Sequence, residues 1–305
     1  MTFFFALASI LIQRKYTADR YAAYKWLGCK FSPSPKGKGL FPYPEDRKNV
    51  IEKRLKSWKA REVKSLNSQF IQGVLFDWDK IDTDSYLWNI DALRGIERLD
   101  FSNSISFFVG ENGSGKSTLL EAIAVAHGFN PEGGTKNYLF STHDTHSELC
   151  NAIRIVRGYR KEKWGYFLRA ESFYNVATQE EMYADAEHPS AGYHEKSHGE
   201  SFLTLACEHL RPNGLYLFDE PEAALSPQRQ LSLLMEIYRC AQVGAQFLIA
   251  THSPILLGIP NAEIFSFDQG RIRTCSYEET ESYQVTEMFI NNRQALLERL
   301  LEERK

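Results

Sequence analysis

Read by its hydrophobic and polar positions, the chain changes character at about residue 70. Beyond that point short apolar runs alternate with stretches of helical period. Ile105-Ser106-Phe107-Phe108-Val109, Gly214-Leu215-Tyr216-Leu217-Phe218 and Gln246-Phe247-Leu248-Ile249-Ala250 are brief and nearly continuous. That is how strands buried on both faces of a parallel sheet read. Thr118 to His127 reads as a helix soon after the first run, so the segment opens a βαβ unit. The alternation predicts an α/β fold with a mostly parallel central sheet. From about Pro131 to Arg211 the sequence is more polar, with Gly133-Gly134 and a loop-like stretch from Gln179 to His194, and an inserted helical subdomain is expected there. Asn292 to Lys305 reads as a charged amphipathic helix.

The first 69 residues follow a different pattern and form an N-terminal extension to a domain spanning 70–305. Met1 to Ile12 is apolar but short of the roughly 20 residues a membrane-spanning helix needs, and it lacks a basic start and a small-residue cleavage site. It reads as a buried or partner-facing element, with no membrane insertion. Ser32-Pro33-Ser34-Pro35-Lys36-Gly37-Lys38-Gly39 is a linker or an ordered surface loop. Arg47 to Lys64 carries eight Lys/Arg against Glu52 and Glu62, with Val50, Ile51, Leu55 and Trp58 at helical spacing. Such a basic amphipathic helix can pack on the main domain by its apolar stripe, or it can contact nucleic acid or an acidic effector protein.

Composition narrows the class. At 305 residues, 43% hydrophobic and 25% charged, the chain is an ordinary globular protein. A net charge of −3 argues against wholesale coating of nucleic acid. Five scattered cysteines, none spaced C-x-x-C, indicate neither a disulfide framework nor a zinc ribbon, and a reducing cytoplasmic setting fits them.

The densest chemistry lies in Gly110-Glu111-Asn112-Gly113-Ser114-Gly115-Lys116-Ser117, followed by Thr118. Glycines let successive backbone N–H groups turn around phosphate oxygens, and the following helix aims its positive end at them. Lys116 is placed to reach the β and γ phosphates, and Ser117 to ligate Mg²⁺. About a hundred residues on, the run Leu215 to Phe218 delivers Asp219 and Glu220 at its carboxyl end, where ligands bind in open α/β sheets. Asp219 is the expected holder of Mg²⁺ through water, and Glu220 the group that polarises the attacking water.

Lys196-Ser197-His198-Gly199-Glu200-Ser201 stands before a helical run, with Ser197 22 residues ahead of Asp219. Here the chain resembles the ABC ATPase superfamily, whose signature segment L-S-G-G-Q begins a helix at about this distance. Ser197 and Gly199 match that pattern, His198 replaces a glycine, and Glu200 replaces the glutamine. Pro221 to Ser226 takes the place of the dimer-facing loop after the acidic pair, with Ser226 where an aspartate is usual. Ser226 also serves as a cap and Pro227 as the first residue of a helix. Ala250-Thr251-His252-Ser253-Pro254 puts His252 32 residues after Glu220, at the place of the superfamily's switch histidine. The likeness extends from about Phe70 to Asn292 and is similar to small stand-alone bacterial predicted ATPases, miniature relatives of SMC and DNA-repair ATPase heads.

This resemblance implies a P-loop NTPase fold of ABC type and a magnesium-dependent ATPase. It implies a head-to-tail dimer in which each ATP is held by one chain's Gly110–Thr118 and by Ser197, Gly199 and Glu200 of the other. It also calls for a metal-sensing glutamine at the end of the strand entering the helical subdomain; Glu171, after Tyr166 to Ala170, is the candidate in its place. Trp88, Leu93, Arg94 and Arg98 are within reach of an adenine ring. Two further readings remain: a nucleotide-gated binding module with little hydrolysis, and the ATP-binding subunit of a transporter. His143-Asp144-Thr145-His146 has the makings of a metal clip but reads as a polar loop.

Overall fold

The computed structural model describes residues 69–136, 147–170, 203 and 209–302. The described residues all lie in one compact unit within Ser65–Lys305.

Its centre is a six-stranded sheet. β3 (Ile105–Val109), β5 (Trp164–Arg169), β6 (Gly214–Asp219), β7 (Gln246–Ala250), β8 (Glu263–Ser266) and β9 (Arg273–Cys275) lie in the order β5-β6-β7-β3-β8-β9. Every neighbouring pair is parallel except β8 with β9. β3, β6 and β7 are buried along their whole lengths, as their continuous apolar runs predict. Their alternating side chains serve two cores. Phe108, Leu215, Leu217, Leu248 and Ala250 face one cluster with Leu119 and Ile123 of helix α1 (Lys116–His127). Phe107, Val109, Tyr216, Phe218, Phe247 and Ile249 face the other, with Leu233 and Ile237 of α3 (Pro227–Gln242) and Leu256 and Leu257 of α4 (Pro254–Leu257).

A second sheet was not foreseen. β1 (Ile71–Phe76) pairs antiparallel with β2 (Arg98–Asp100) on one side and β4 (Ile153–Arg157) on the other, and Val74 and Leu99 join the α1-side core. Gln246 ties the two sheets together at the start of β7. Its side-chain oxygen accepts the N–H groups of Phe70 and Ile71 at 2.8 and 2.9 Å, and its amide donates to the Ile71 carbonyl at 2.7 Å.

Of the helical subdomain expected over 131–211, only 131–136, 147–170, 203 and 209–211 are described; there a strand ending at Tyr166 to Ala170 was expected and β4 was not. After α2 (Leu149–Ala152) that stretch supplies β4 and β5, one strand to each sheet. The physical reason is visible in the side chains: Ile153-Arg154-Ile155 alternates with period two, and Tyr166-Phe167-Leu168 is a buried apolar run. The C-terminal helix α5 runs Glu281–Glu302, beginning before the predicted Asn292, where the backbone instead breaks with φ −128°.

Candidate functional site

The glycine loop leaves the carboxyl end of β3 and turns into α1 through glycines in the left-handed region, Gly113 at φ +80° and Gly115 at φ +99°. At Gly115 a side chain is excluded twice, by the dihedral and because a Cβ would lie 2.6 Å from Ile90 Cγ2. Geometry alone leaves the first N–H groups of α1 without partners inside the helix, so they point into the loop. Lys116 is buried, and its ammonium donates to the Gly110 and Glu111 carbonyls, each at 2.7 Å. Burial pulls its pKa below the ordinary lysine value, while Glu220, Asp219, Asp268 and Glu222 push the other way.

Strand alternation decides which carboxylate meets α1. Leu215 and Leu217 face the α1 side, so Asp219, two residues on, faces it as well. The Ser117 hydroxyl donates to Asp219 Oδ1 at 2.8 Å. A hydroxyl and a carboxylate held on one side of a phosphate loop are the oxygen donors a magnesium ion takes. Glu220 then leaves the strand at φ +50°, unusual for a side-chain-bearing residue, with its N–H donating to the Ala250 carbonyl at 2.9 Å. Its Oε1 lies 3.9 Å from Nε2 of His252, which follows β7. The His252 N–H donates to Glu222 at 2.5 Å. Burial pushes the Glu222 carboxyl up, opposed by that N–H. Among the described residues, Ser114 Oγ and His252 Nε2 are shielded polar atoms that make no hydrogen bond. These orphaned atoms, the glycine cradle and the Ser117–Asp219 pair fit a magnesium nucleotide.

Val109, Gly110, Glu111, Asn112, Gly113, Glu220, Thr251, His252 and Asp268 line a cleft of about 830 Å³, together with Glu281 and Ser282 from the first turn of α5. Gly110 to Thr118, Asp219, Glu220 and His252, read separately along the sequence, thus share one place. Ser197, Gly199, Glu200 and Glu171 lie outside the described residues, as do 47–64 and His143 to His146. Leu93, a candidate for the adenine, is instead fully buried beneath Gly115. Trp88 packs against Trp78 and donates its indole N–H to the Asp82 carbonyl.

Two residues at the site carry no sequence signal. Asp268, in the turn after β8, accepts the Glu111 N–H at 3.1 Å and the Ser266 hydroxyl at 2.8 Å, bracing the loop from outside. Arg169, ending β5, lies beside Asp219 on the neighbouring strand. Neither falls in a spacing pattern, because each reaches the site through strand order. Ser226 does cap α3 as expected, accepting from Arg229 N–H at 3.4 Å ahead of Pro227.

A parallel sheet with a glycine loop at β3, an acidic pair at the end of neighbouring β6 and a histidine after β7 defines the class: a P-loop protein of ABC ATPase type. Two family models match successive parts of the chain, "AAA domain" over residues 86–187 and "AAA domain, putative AbiEii toxin, Type IV TA system" over 200–258. The chain therefore carries AAA-domain sequence around both halves of the site. No curated protein matches it. Solved structures similar to it include the SMC head domain from Thermotoga maritima, 13% identical over 59% of this chain and 92% of that one, TM-score 0.35. Another is "an inward-facing conformation of a putative metal-chelate type ABC transporter", 19% identical over 59% and 75%, TM-score 0.33. An Smc head domain from Pyrococcus yayanosii is 24% identical over 30% and 19%, TM-score 0.25. Overlaps this partial do not carry the fold, which rests on strand order and site. Among the described residues no helix is long and apolar enough to cross a membrane.

Proposed function

We propose that the protein is an ATP-driven switch of the cytoplasm that binds ATP with Mg²⁺, pairs head to tail with a second copy around it, and separates on hydrolysis. The observation that most supports this is the Ser117–Asp219 bond across the glycine loop, which sets two oxygen ligands side by side within reach of Glu220 and His252.

In this reading Lys116 exchanges the carbonyls of Gly110 and Glu111 for β and γ phosphate oxygens, and the loop N–H groups of Gly113 to Thr118 surround the same phosphates. Magnesium, when bound, neutralises phosphate charge and fixes its oxygens. Ser117 and Asp219 hold it in this chain, with Glu171 as a further ligand through water. Glu220, partly open to solvent, orients the attacking water. His252 meets the γ-phosphate through Nε2, the atom that makes no hydrogen bond within the protein. Ser197, Gly199 and Glu200 act on the nucleotide of the neighbouring chain. The basic segment 47–64 hands the state of the pair to nucleic acid or an effector protein.

Glu220→Gln keeps the shape of the site and removes the group that orients water. Sedimentation velocity with saturating ATP and Mg²⁺ should show this variant as a dimer, reverting to monomer in ADP. A variant that binds ATP yet stays monomeric refutes the paired switch, and one that binds no ATP refutes the reading as a whole.

A further inference from the structure

Beside the metal-ligand pair the molecule places a positive charge that the mechanism above does not use. Arg169 ends β5 in register with Asp219 at the end of β6. Phe167 and Leu217 both face the α1-side core, so Arg169 and Asp219, two residues further along each strand, face it together. The Arg169 guanidinium donates to Glu121 Oε2 of α1 at 2.5 Å and to the Pro131 carbonyl at 3.3 Å. Its Nε lies 3.9 Å from Asp219 Oδ2, the oxygen opposite the one that accepts from Ser117. Glu121 is fixed in turn, since its other oxygen accepts the Ser147 N–H at 3.0 Å. All three charged side chains are largely buried, Arg169 at 19%, Glu121 at 11% and Asp219 at 8% exposure.

Among the described residues one guanidinium thus lies between two carboxylates. It hydrogen-bonds Glu121 and the Pro131 carbonyl, and its contact with Asp219 is looser. Two buried carboxylates this close to one cation would repel each other if it were absent.

We infer that Arg169 is a positioning residue for the metal site: it balances the charge of Asp219 while no metal is bound, and it stays with Glu121 when Asp219 turns to Mg²⁺. The inference rests on the reading of the site as one for Mg²⁺ and ATP. Three consequences follow from the charge alone. With Arg169 in place, ATP without metal meets a compensated carboxylate, so it binds only moderately more weakly than ATP with metal. Without Arg169, Asp219 and Glu121 repel the phosphates of metal-free ATP and attract Mg²⁺ more strongly. Freeing Arg169 from Glu121 commits it to Asp219, where it competes with the metal.

The test is the metal factor, the Kd for ATP in EDTA divided by the Kd in excess Mg²⁺, measured by calorimetry on the full chain without relying on hydrolysis. We expect Arg169→Gln to raise it about ten-fold over wild type, the scale of a unit charge about 4 Å away in a partly screened site. Arg169→Lys should stay within about three-fold of wild type, and Glu121→Gln should lower the factor. Should Arg169→Gln fail to fold, the opposed shift in Glu121→Gln still decides the matter. A metal factor unchanged in Arg169→Gln, with only a fall in melting temperature, overturns the inference and leaves a structural ion pair. Shifts of the same sign in Arg169→Gln and Glu121→Gln also overturn it. Wild-type protein that binds no ATP in either condition overturns the ATP reading itself, whereas wild-type binding with an unmoved factor overturns only the role of Arg169.

Discussion

Replacing Gln246 with Met removes one polar side chain and leaves three backbone groups to find other partners. Gln246 is 2% exposed, and so is Phe70, while Ile71 is fully buried. Methionine is close in volume and unbranched, so it fills the space while offering neither the amide N–H nor the carbonyl oxygen. The N–H groups of Phe70 and Ile71 and the carbonyl of Ile71 then lose bonds of 2.8, 2.9 and 2.7 Å. A buried backbone group left unpaired costs about 1–3 kcal/mol, so three cost about 3–9 kcal/mol if nothing moves. Local relaxation that lets water reach some of these groups brings the expected loss to about 3–4 kcal/mol. For a unit of this size each kcal/mol lowers the melting temperature by about 2–4 °C, so the variant should melt roughly 6–16 °C below wild type. Thermal and urea unfolding followed by circular dichroism measure both quantities. Gln246 begins β7 while His252 follows its far end, so ATP affinity measured well below melting should stay within about three-fold. A loss under about 1 kcal/mol would refute the claim that this amide holds the two sheets together, and a collapse of ATP affinity in the folded variant would refute their separation from the site.

Two more outcomes follow from particular geometries. Glu220 stands at φ +50°, a conformation glycine adopts freely, so Glu220→Gly should gain stability by about 1 kcal/mol while cutting hydrolysis by about 100-fold or more; paired melting and phosphate-release assays check it, and a less stable variant would mean that the strain is not stored there. The Glu162 carboxyl is held well below the usual glutamate range, chiefly by its hydrogen bond with His127 at 3.0 Å and also by Lys136. A depressed folded pKa contributes stability that is present above the unfolded value of about 4.3 and lost as pH falls toward the folded one. Resistance to urea unfolding should therefore fall below about pH 4, and Glu162→Gln should both flatten that acid limb and lower stability at pH 7.

What was legible in the sequence is what chemistry confines to consecutive residues. Gly110 to Ser117 must be contiguous because its backbone wraps one group of oxygens, and Asp219-Glu220 must end an apolar run because a strand delivers them. Ser226-Pro227 announces the start of α3 for the same local reason. The candidates of 171–208 are a separate matter, since Glu171, Ser197, Gly199 and Glu200 lie outside the described residues.

β5 falls where a strand was expected, ending at Tyr166 to Ala170, whereas β4 was concealed because it is short and goes to the other sheet. The three-stranded sheet was concealed altogether, since β1, β2 and β4 come together from Ile71–Phe76, Arg98–Asp100 and Ile153–Arg157. Leu93 looked available to a nucleotide because apolar character does not tell a core position from a ligand-facing one; packing under Gly115 settles it.

By itself, then, the sequence determined the class of machine: a phosphate loop, an acidic pair, a histidine after a buried strand, and an α/β alternation to carry them. Tertiary structure decided who stands beside whom. The order β5-β6-β7-β3-β8-β9 brings Arg169 to Asp219, His252 to Glu220 and Asp268 to Glu111, pairs that lie 50, 32 and 157 residues apart. Side-chain alternation along each strand is local and can be read from the sequence, but the neighbour across the ladder depends on how the whole sheet is ordered.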